Sequence, residues 1–235
     1  MRIDKLLSAC GAASRSEAGR AARAGRITVN GIAVRDASAN VDPARDTVCL
    51  DGVRMEYCEF VYVMLNKPEG YVSATEDGRD PTVLELLPEL SHRTGLFPCG
   101  RLDKNTVGLM LITDDGALGH RLLSPRRHVE KTYRFACRAE VSDEDRAALE
   151  NGLRLADGYV TKPATLTLDP GRMSGTITLH EGKYHQIKRM FGAVNDNRIV
   201  ALERVSFGPL TLDSTLGRGE WRYLTEDEIS QLRSS

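Results

Sequence analysis

One carboxylate near the middle of the chain has neighbours that could support catalysis. Asp103 lies in a polar turn beside Arg101 and Lys104, between the apolar residues 96–98 and the apolar run 107–112. A carboxylate at the end of a buried strand, next to cations, can stay ionised and be directed at a substrate. The same pattern is typical of an aspartate that hydrogen-bonds its own turn. Local chemistry alone favours the turn, so other residues must decide.

Two residues further along the chain could complete a site around Asp103. Residues 128–137 alternate like a strand and place Tyr133 on the apolar face, where it could also be an ordinary core tyrosine. The segment from Tyr184 predicts a helix whose buried stripe begins at Tyr184 and is bordered by Lys188. A lysine at the edge of a buried face needs an anionic partner, for which Asp103 is a candidate.

Composition indicates a soluble globular protein of one large or two small domains. The chain has 235 residues, of which 28% are charged and 41% hydrophobic. No run of residues is long and apolar enough for a membrane span, and the start of the chain lacks a secretory signal. The five cysteines include no Cys-x-x-Cys pair, so neither zinc binding nor a disulfide framework is indicated. We therefore expect a cytoplasmic protein without a membrane partner.

Basic residues are concentrated in two segments although the net charge is −1. Residues 1–35 contain seven Lys and Arg against two acids, and residues 118–138 contain six against one. Two basic segments in a nearly neutral protein predict contacts with nucleic acid. Two solvated charged faces are the alternative.

The first basic segment has the pattern of a helix followed by a hairpin. Ser14 and Glu17 form a capping box, and Gly25 marks the end of the helix. Asn30-Gly31 predicts a type I′ turn between two short strands. Three alanines share the inner face of this helix: Ala18, Ala21 and Ala22. Three arginines on the other face could contact phosphate: Arg15, Arg20 and Arg23.

This segment resembles the small RNA-binding domain first seen in a small-subunit ribosomal protein. The resemblance rests on residues 2–7, 14–18 and 25–31. It implies binding of structured RNA through the helix arginines and through Arg26, which follows Gly25. We expect a small N-terminal RNA-binding domain at residues 1–58 and a second domain at residues 59–235.

The second domain is expected to be α+β with a mixed, mainly antiparallel sheet. Its sequence predicts many strands with few helices between them. Asp114 and Asp115 could be a catalytic pair, but Asp114 is better explained as the cap of a helix over residues 117–123.

Four segments of this domain together resemble the ribosomal pseudouridine synthases: 66–70, 100–109, 131–133 and 181–190. The resemblance implies that one uridine of ribosomal RNA is flipped out of the stack and isomerised from an N-glycoside to a C-glycoside. It assigns Asp103 as the essential carboxylate, Tyr133 as the ring that packs on uracil, and Lys188 as the partner of Asp103. Arg101 would fill the vacated position or hold a flanking phosphate, and Leu202 would line the pocket.

Within this family, residues 184–189 are most similar to the form found in small-subunit enzymes, and this resemblance implies a target in 16S ribosomal RNA, of the uridine-516 class. The alternatives are a synthase acting on 23S ribosomal RNA and a non-catalytic ribosome-assembly factor. A nucleotide hydrolase would need a second carboxylate or a metal site. An isomerisation needs neither cofactor nor metal, and we expect a monomer.

Overall fold

The computed structural model describes residues 1–124 and 129–235, which form two compact units. The first contains Met1–Val61 together with Leu87–Leu96, and the second contains Tyr62–Leu86 together with Phe97–Ser235. The division predicted between residues 58 and 59 stays a prediction, and nothing in the sequence indicated that a second segment joins the first unit. Arg126, Arg127 and His128 of the second basic segment lie outside the described residues.

The first unit combines two helices with an antiparallel sheet of four short strands in the order β2-β1-β3-β4. The elements are α1 (Ile3–Ala9), α2 (Arg15–Arg23), β1 (Ile27–Val29), β2 (Ile32–Ala33), β3 (Val48–Leu50) and β4 (Val53–Arg54). Its core joins both helices to the sheet through residues such as Leu6, Ala22 and Ile27.

The predicted helix and hairpin of this unit are confirmed. The Ser14 hydroxyl accepts a hydrogen bond from the Glu17 backbone N–H at 3.3 Å, and the Ser14 N–H donates to the Glu17 carboxylate at 2.8 Å. The three alanines of the inner face are buried. Asn30 and Gly31 both have positive φ, as a type I′ turn requires.

The segment Leu87–Leu96 is joined to the rest of the first unit by hydrogen bonds from an arginine side chain to backbone carbonyls. The Arg93 guanidinium donates to the carbonyls of Ala9, Cys58 and Glu59 at 3.0 to 3.3 Å. Leu87 and Leu90 are buried. One arginine thus joins three parts of the chain that are distant in sequence.

The second unit is built on one mixed sheet of nine strands, and its α+β class is as predicted. The path is β13-β5-β7-β11-β8-β10-β9, with β6 paired to β7 and β12 paired to β11. The strands are β5 (Tyr62–Lys67), β6 (Phe97–Pro98), β7 (Val107–Thr113), β8 (Lys131–Cys137), β9 (Thr165–Leu168), β10 (Ser174–Leu179), β11 (Ile199–Phe207), β12 (Leu210–Thr211) and β13 (Trp221–Tyr223). The helices are α3 (Gly116–Leu123), α4 (Asp143–Asn151), α5 (Gln186–Ala193) and α6 (Glu226–Ser234).

Strands β7 and β11 pair in parallel, and every other strand pair of this sheet is antiparallel among the described residues. Gly108 allows this pairing, because a Cβ there would lie 2.4 Å from the Arg204 carbonyl oxygen. Its φ of +101° is also strained for any L side chain. The glycine therefore brings β11 close to the start of β7.

The cap of α3 differs from the prediction. Asp115, not Asp114, accepts the hydrogen bond from the Leu118 N–H, at 2.9 Å. The other Asp115 carboxylate oxygen accepts from the Tyr62 hydroxyl at 2.7 Å. Asp115 is therefore the aspartate that faces inward, where it contacts the buried tyrosine on β5. No helix within the described ranges is long and apolar enough to cross a membrane.

Candidate active site

Asp103 lies in the turn between β6 and β7, and its carboxylate is not used by that turn. The turn is closed by the Thr106 N–H, which donates to the Asp103 backbone carbonyl at 3.0 Å. Among the described residues, no backbone N–H donates to the carboxylate. The side chain is about a quarter exposed, so one face of it is open to a ligand. The structure therefore disfavours the interpretation as a simple turn aspartate.

Lys188 and His185 contact the two oxygens of this carboxylate. Lys188 Nζ lies 2.7 Å from Oδ2, and His185 Nε2 lies 3.5 Å from Oδ1. The lysine is on the first turn of α5, so the helix sets the direction from which it approaches Asp103. The pair predicted from the sequence is present in the structure. Because both partners are partly buried, their attraction is screened less than that of a surface ion pair.

Residues before α5 are held by Glu181, and this changes where the helix begins. The Glu181 carboxylate accepts hydrogen bonds from the Tyr159 hydroxyl, from the Lys162 N–H at 2.9 Å and from Gln186 Nε2 at 2.5 Å. The hydrogen bond to this carboxylate raises the pKa of Tyr159 to about 12. His185 then adopts a left-handed backbone with φ of 49°.

The helix therefore begins at Gln186, and the prediction that it starts at Tyr184 is wrong. Tyr184 and the left-handed His185 form a turn before the helix, and Tyr184 is 69% exposed. Its ring stacks on His185 with centroids 3.8 Å apart. Tyr184 thus lies at the cleft surface and not on the buried stripe, which is formed by Ile187 and Phe191.

Tyr133 and Leu202 lie on one face of the sheet, on neighbouring strands. Tyr133 on β8 is 8% exposed, as the alternation predicted, and its cross-strand partner on β11 is Arg204. Leu202 is opposite Phe135 and is also buried. Directly opposed residues of an antiparallel pair project to the same face. Tyr133 and Leu202 therefore reach the same cavity.

A cleft of about 690 Å³ is lined by all five residues that the sequence assigned to the pocket: Arg101, Asp103, Tyr133, Lys188 and Leu202. Arg101 is exposed and makes no side-chain hydrogen bond or ion pair with any described residue. A cleft of this size can hold a nucleotide. It offers a flat ring, an ion-paired carboxylate and an unengaged guanidinium.

Lys67 supports this cleft from below, a role that the sequence did not reveal. Its side chain is fully buried, and Nζ donates to the backbone carbonyls of Pro68, Asp103, Lys104 and Thr106 at 2.9 to 3.2 Å. Burial lowers the pKa of Lys67 to about 8. The lysine ties the turn that carries Asp103 to the end of β5.

Ser73 braces the same turn from another side. Its hydroxyl donates to the Leu102 carbonyl at 2.9 Å and accepts from the Leu102 N–H at 3.0 Å. Two polar side chains, Lys67 and Ser73, therefore fix the backbone on both sides of the carboxylate. The motif around Lys67 was the only sequence signal for this support, and it assigned the lysine no role.

The four arginines of the first unit that are predicted to bind RNA differ in their availability. Arg15, Arg20 and Arg23 are exposed along α2. Arg26 makes a two-pronged ion pair with Asp51, with Nε at 2.7 Å from Oδ1. This pair raises the pKa of Arg26 and lowers that of Asp51. Arg26 would have to leave a carboxylate, or share its guanidinium, to contact phosphate.

Metal ligation has no evident place in the described part of the chain. Within residues 1–124 and 129–235, no three His, Cys, Asp or Glu side chains lie close enough together to hold a metal ion. The cleft instead pairs its carboxylate with a lysine and a histidine.

Comparison with known families gives two matches along the chain. Residues 61–193 match the family of RNA pseudouridylate synthases, and residues 1–48 match the S4 domain.

Curated relatives match over almost the whole length. An uncharacterised RNA pseudouridine synthase, YtzG of Bacillus subtilis, is 46% identical over 99% of this chain and 98% of its own. Ribosomal small subunit pseudouridine synthase A of Escherichia coli is 43% identical over 99% of this chain and 100% of its own.

Solved structures agree with this match. A crystal structure of a pseudouridylate synthase is 35% identical, covers 99% of both chains and has a TM-score of 0.69. The archaeal box H/ACA sRNP Nop10–Cbf5 complex matches 68% of this chain at 18% identity with a TM-score of 0.50, which shows a shared fold.

Proposed function

Because the chain belongs to the RNA pseudouridylate synthase family, we propose that it converts a uridine of 16S ribosomal RNA, of the uridine-516 class, to pseudouridine. The observation that carries the choice of target is the 43% identity, over nearly the full length, to small-subunit synthase A. We place the reaction in the cytoplasm, where small subunits assemble, and expect the protein to act as a monomer.

The chemistry of the reaction is compatible with the groups in the cleft. The bond from ring nitrogen 1 to the anomeric carbon breaks, and ring carbon 5 bonds to that carbon instead. Carbon 5 loses a proton and nitrogen 1 gains one, so the atoms balance without an oxidant, a reductant or hydrolysis. The base must leave the RNA stack first, which requires a pocket that replaces stacking and hydrogen bonds.

Each predicted site residue has a part in this proposal. The ring of Tyr133 packs on the flipped uracil, and Leu202 closes the pocket beside it. Asp103 acts on the nucleotide as an ionised carboxylate, which Lys188 keeps oriented through their 2.7 Å contact. Arg101, which has no partner among the described residues, holds a flanking phosphate or the vacated position in the RNA.

The target is tested with RNA from both ribosomal subunits. Purified protein is incubated with partly assembled small-subunit and large-subunit particles containing uridine tritiated at ring carbon 5, and released tritium is counted. We expect release from the small-subunit particle alone, mapped to a single uridine. Release from 23S ribosomal RNA would reassign the target. RNA binding without release from either particle would favour a non-catalytic assembly factor.

Removal of two α2 arginines should weaken RNA binding in a salt-dependent way. The double variant Arg20→Gln, Arg23→Gln loses two exposed cations that we assign to phosphate contacts. The slope of log K against log salt should fall by about two, whereas the single-turnover rate on saturating RNA should stay the same.

Arg45→Gln is the matched control, because Arg45 is exposed in the same unit and contacts Asp42 at 3.7 Å. Its binding and salt slope should equal those of the unmodified protein. An unchanged slope in the double variant would remove α2 from the RNA-binding surface.

A further inference from the structure

Two cations in the wall of the cleft, the buried Arg204 and the partly buried Lys131, have no carboxylate partner among the described residues. Arg204 is 1% exposed, and its Nε donates to the Leu109 carbonyl at 2.7 Å. Lys131 Nζ donates to the Val129 carbonyl at 2.8 Å. Both cations lie over the same ring, at 5.4 Å and 5.1 Å from the centroid of Phe207. Two positive groups therefore share one small apolar site.

Within the described part of the chain, no acidic side chain pairs with these two cations. Neither Lys131 nor Arg204 forms an ion pair with any described residue, and residues 125–128 contain no Asp or Glu. Burial, with a contribution from the nearby Arg204, lowers the pKa of Lys131 to about 8. A buried cation without a counterion is expensive to maintain. Since both residues line the cleft, a negatively charged ligand there would be strongly favoured.

The register of the sheet places these cations beside Tyr133. Arg204 is the cross-strand partner of Tyr133, and Lys131 lies two residues before Tyr133 on the same face of β8. A planar ring packed on Tyr133 would therefore present an edge to Lys131 and Arg204.

A pyrimidine edge fits this position better than a phosphate. Arg204 is almost completely buried, and a phosphate would have to give up most of its hydration to reach it. The exposed Arg101 at the same cleft is better placed for a backbone phosphate. A uracil ring that has lost its sugar bond carries its negative charge on two carbonyl oxygens, which are hydrogen-bond acceptors of the right kind.

We propose that Lys131 and Arg204 form an anion subsite for the carbonyl oxygens of the detached uracil ring. The inference rests on the proposed function. When the bond from nitrogen 1 to the anomeric carbon breaks, its electron pair stays on the ring and spreads to both carbonyl oxygens. The two cations donate hydrogen bonds to these oxygens until carbon 5 bonds to the sugar. Because the charge develops only as the bond breaks, the subsite accelerates the reaction more than it strengthens binding.

The rate test compares two target nucleotides in otherwise identical RNA. Lys131→Met should slow single-turnover conversion of uridine by about 10²- to 10³-fold with little change in RNA affinity. In 5-fluorouridine the fluorine already stabilises the ring anion, so Lys131→Met should slow the cleavage of its N-glycosidic bond much less. This cleavage is measured by nuclease digestion of the RNA and chromatography of the products. Equal slowing for both nucleotides, or an effect confined to affinity, would overturn the proposal.

Arg154→Met is the matched control, because Arg154 is an exposed cation of the same unit that lies outside both basic segments and does not line the cleft. It should keep the rates of the unmodified protein for both nucleotides. Lys131→Arg keeps the positive charge and should recover most of the rate. If Lys131→Met does not fold, Arg204→Lys provides the same comparison of nucleotides.

A binding test separates this subsite from the proposed reaction. The free base 5-nitrouracil is an anion near neutral pH and is titrated into the unmodified protein, Lys131→Met and Arg154→Met. We expect binding that only Lys131→Met loses. If the unmodified protein binds this anion but forms no pseudouridine, the subsite stands and the proposed function fails. If it forms pseudouridine but Lys131→Met binds the anion equally well, the subsite fails.

Discussion

Replacement of Asp103 by asparagine should abolish pseudouridine formation and leave RNA binding intact. The amide has the same shape as the carboxylate but carries no charge and is a poor nucleophile. Loss of such a group is expected to reduce the rate by about 10⁴-fold or more. The change in stability should stay within about 1 kcal/mol, because Asp103 and Lys188 are both partly exposed.

The measurement is tritium release from uridine labelled at ring carbon 5, together with RNA affinity and a urea unfolding curve. Asp80→Asn is the control. It removes a nearby carboxylate that pairs with Lys104 at 2.6 Å and takes no part in the ion pair of Asp103 with Lys188. The control should retain activity. Full activity in Asp103→Asn would refute the catalytic assignment.

Replacement of Lys67 by methionine should damage both stability and catalysis. Four backbone carbonyls would lose their donor in a fully buried site, which we expect to destabilise the fold by about 3 kcal/mol or more. The turn that carries Asp103 would also lose its support. A displacement of about 1 Å at a reacting group can cost about 10²-fold in rate.

Urea unfolding and single-turnover rates measure these two effects separately. Lys104→Met is the control, since Lys104 lies in the same turn and its half-exposed side chain forms an ion pair with Asp80 at 2.6 Å. It should change the unfolding free energy by less than about 1 kcal/mol. A Lys67→Met protein with the stability and rate of this control would show that the four hydrogen bonds are dispensable.

The pH dependence of stability should also differ in Lys67→Met. Lys67 has its pKa lowered from 10.5 to about 8 in the folded state. Between these two values the unfolded chain binds more protons, so the contribution of Lys67 to the unfolding free energy rises with pH in that window. Unfolding curves at several pH values from 7 to 10 should show this rise in the unmodified protein and not in Lys67→Met.

Features set by neighbouring residues could be predicted from the sequence. The capping box of Ser14 and Glu17, the turn at Asn30 and Gly31, and the inward side of Tyr133 depend on spacings of a few residues. The structure contains all of them. The pairing of Asp103 with Lys188 spans 85 residues and became a hypothesis because a lysine bordering a buried face needs an anion.

Features that depend on distant backbone were not predictable in this way. Lys67 donates to carbonyls 36 to 39 residues away, and Arg204 donates to one 95 residues away. A single sequence does not show which carbonyl will meet a buried cation. The start of α5 was misplaced for the same reason, because Glu181 bonds to Tyr159 and Lys162, about twenty residues earlier.

The segment Leu87–Leu96 has a consequence for how this protein is made. Residues 1–61 are synthesised before Arg93. The carbonyls of Ala9, Cys58 and Glu59 therefore lack their hydrogen bonds from Arg93 until that residue has left the ribosome. Strand β5 emerges in the interval. The RNA-binding unit therefore reaches its final form only after the catalytic unit has begun to appear, and a fragment that stops at residue 61 is an unfinished version of it.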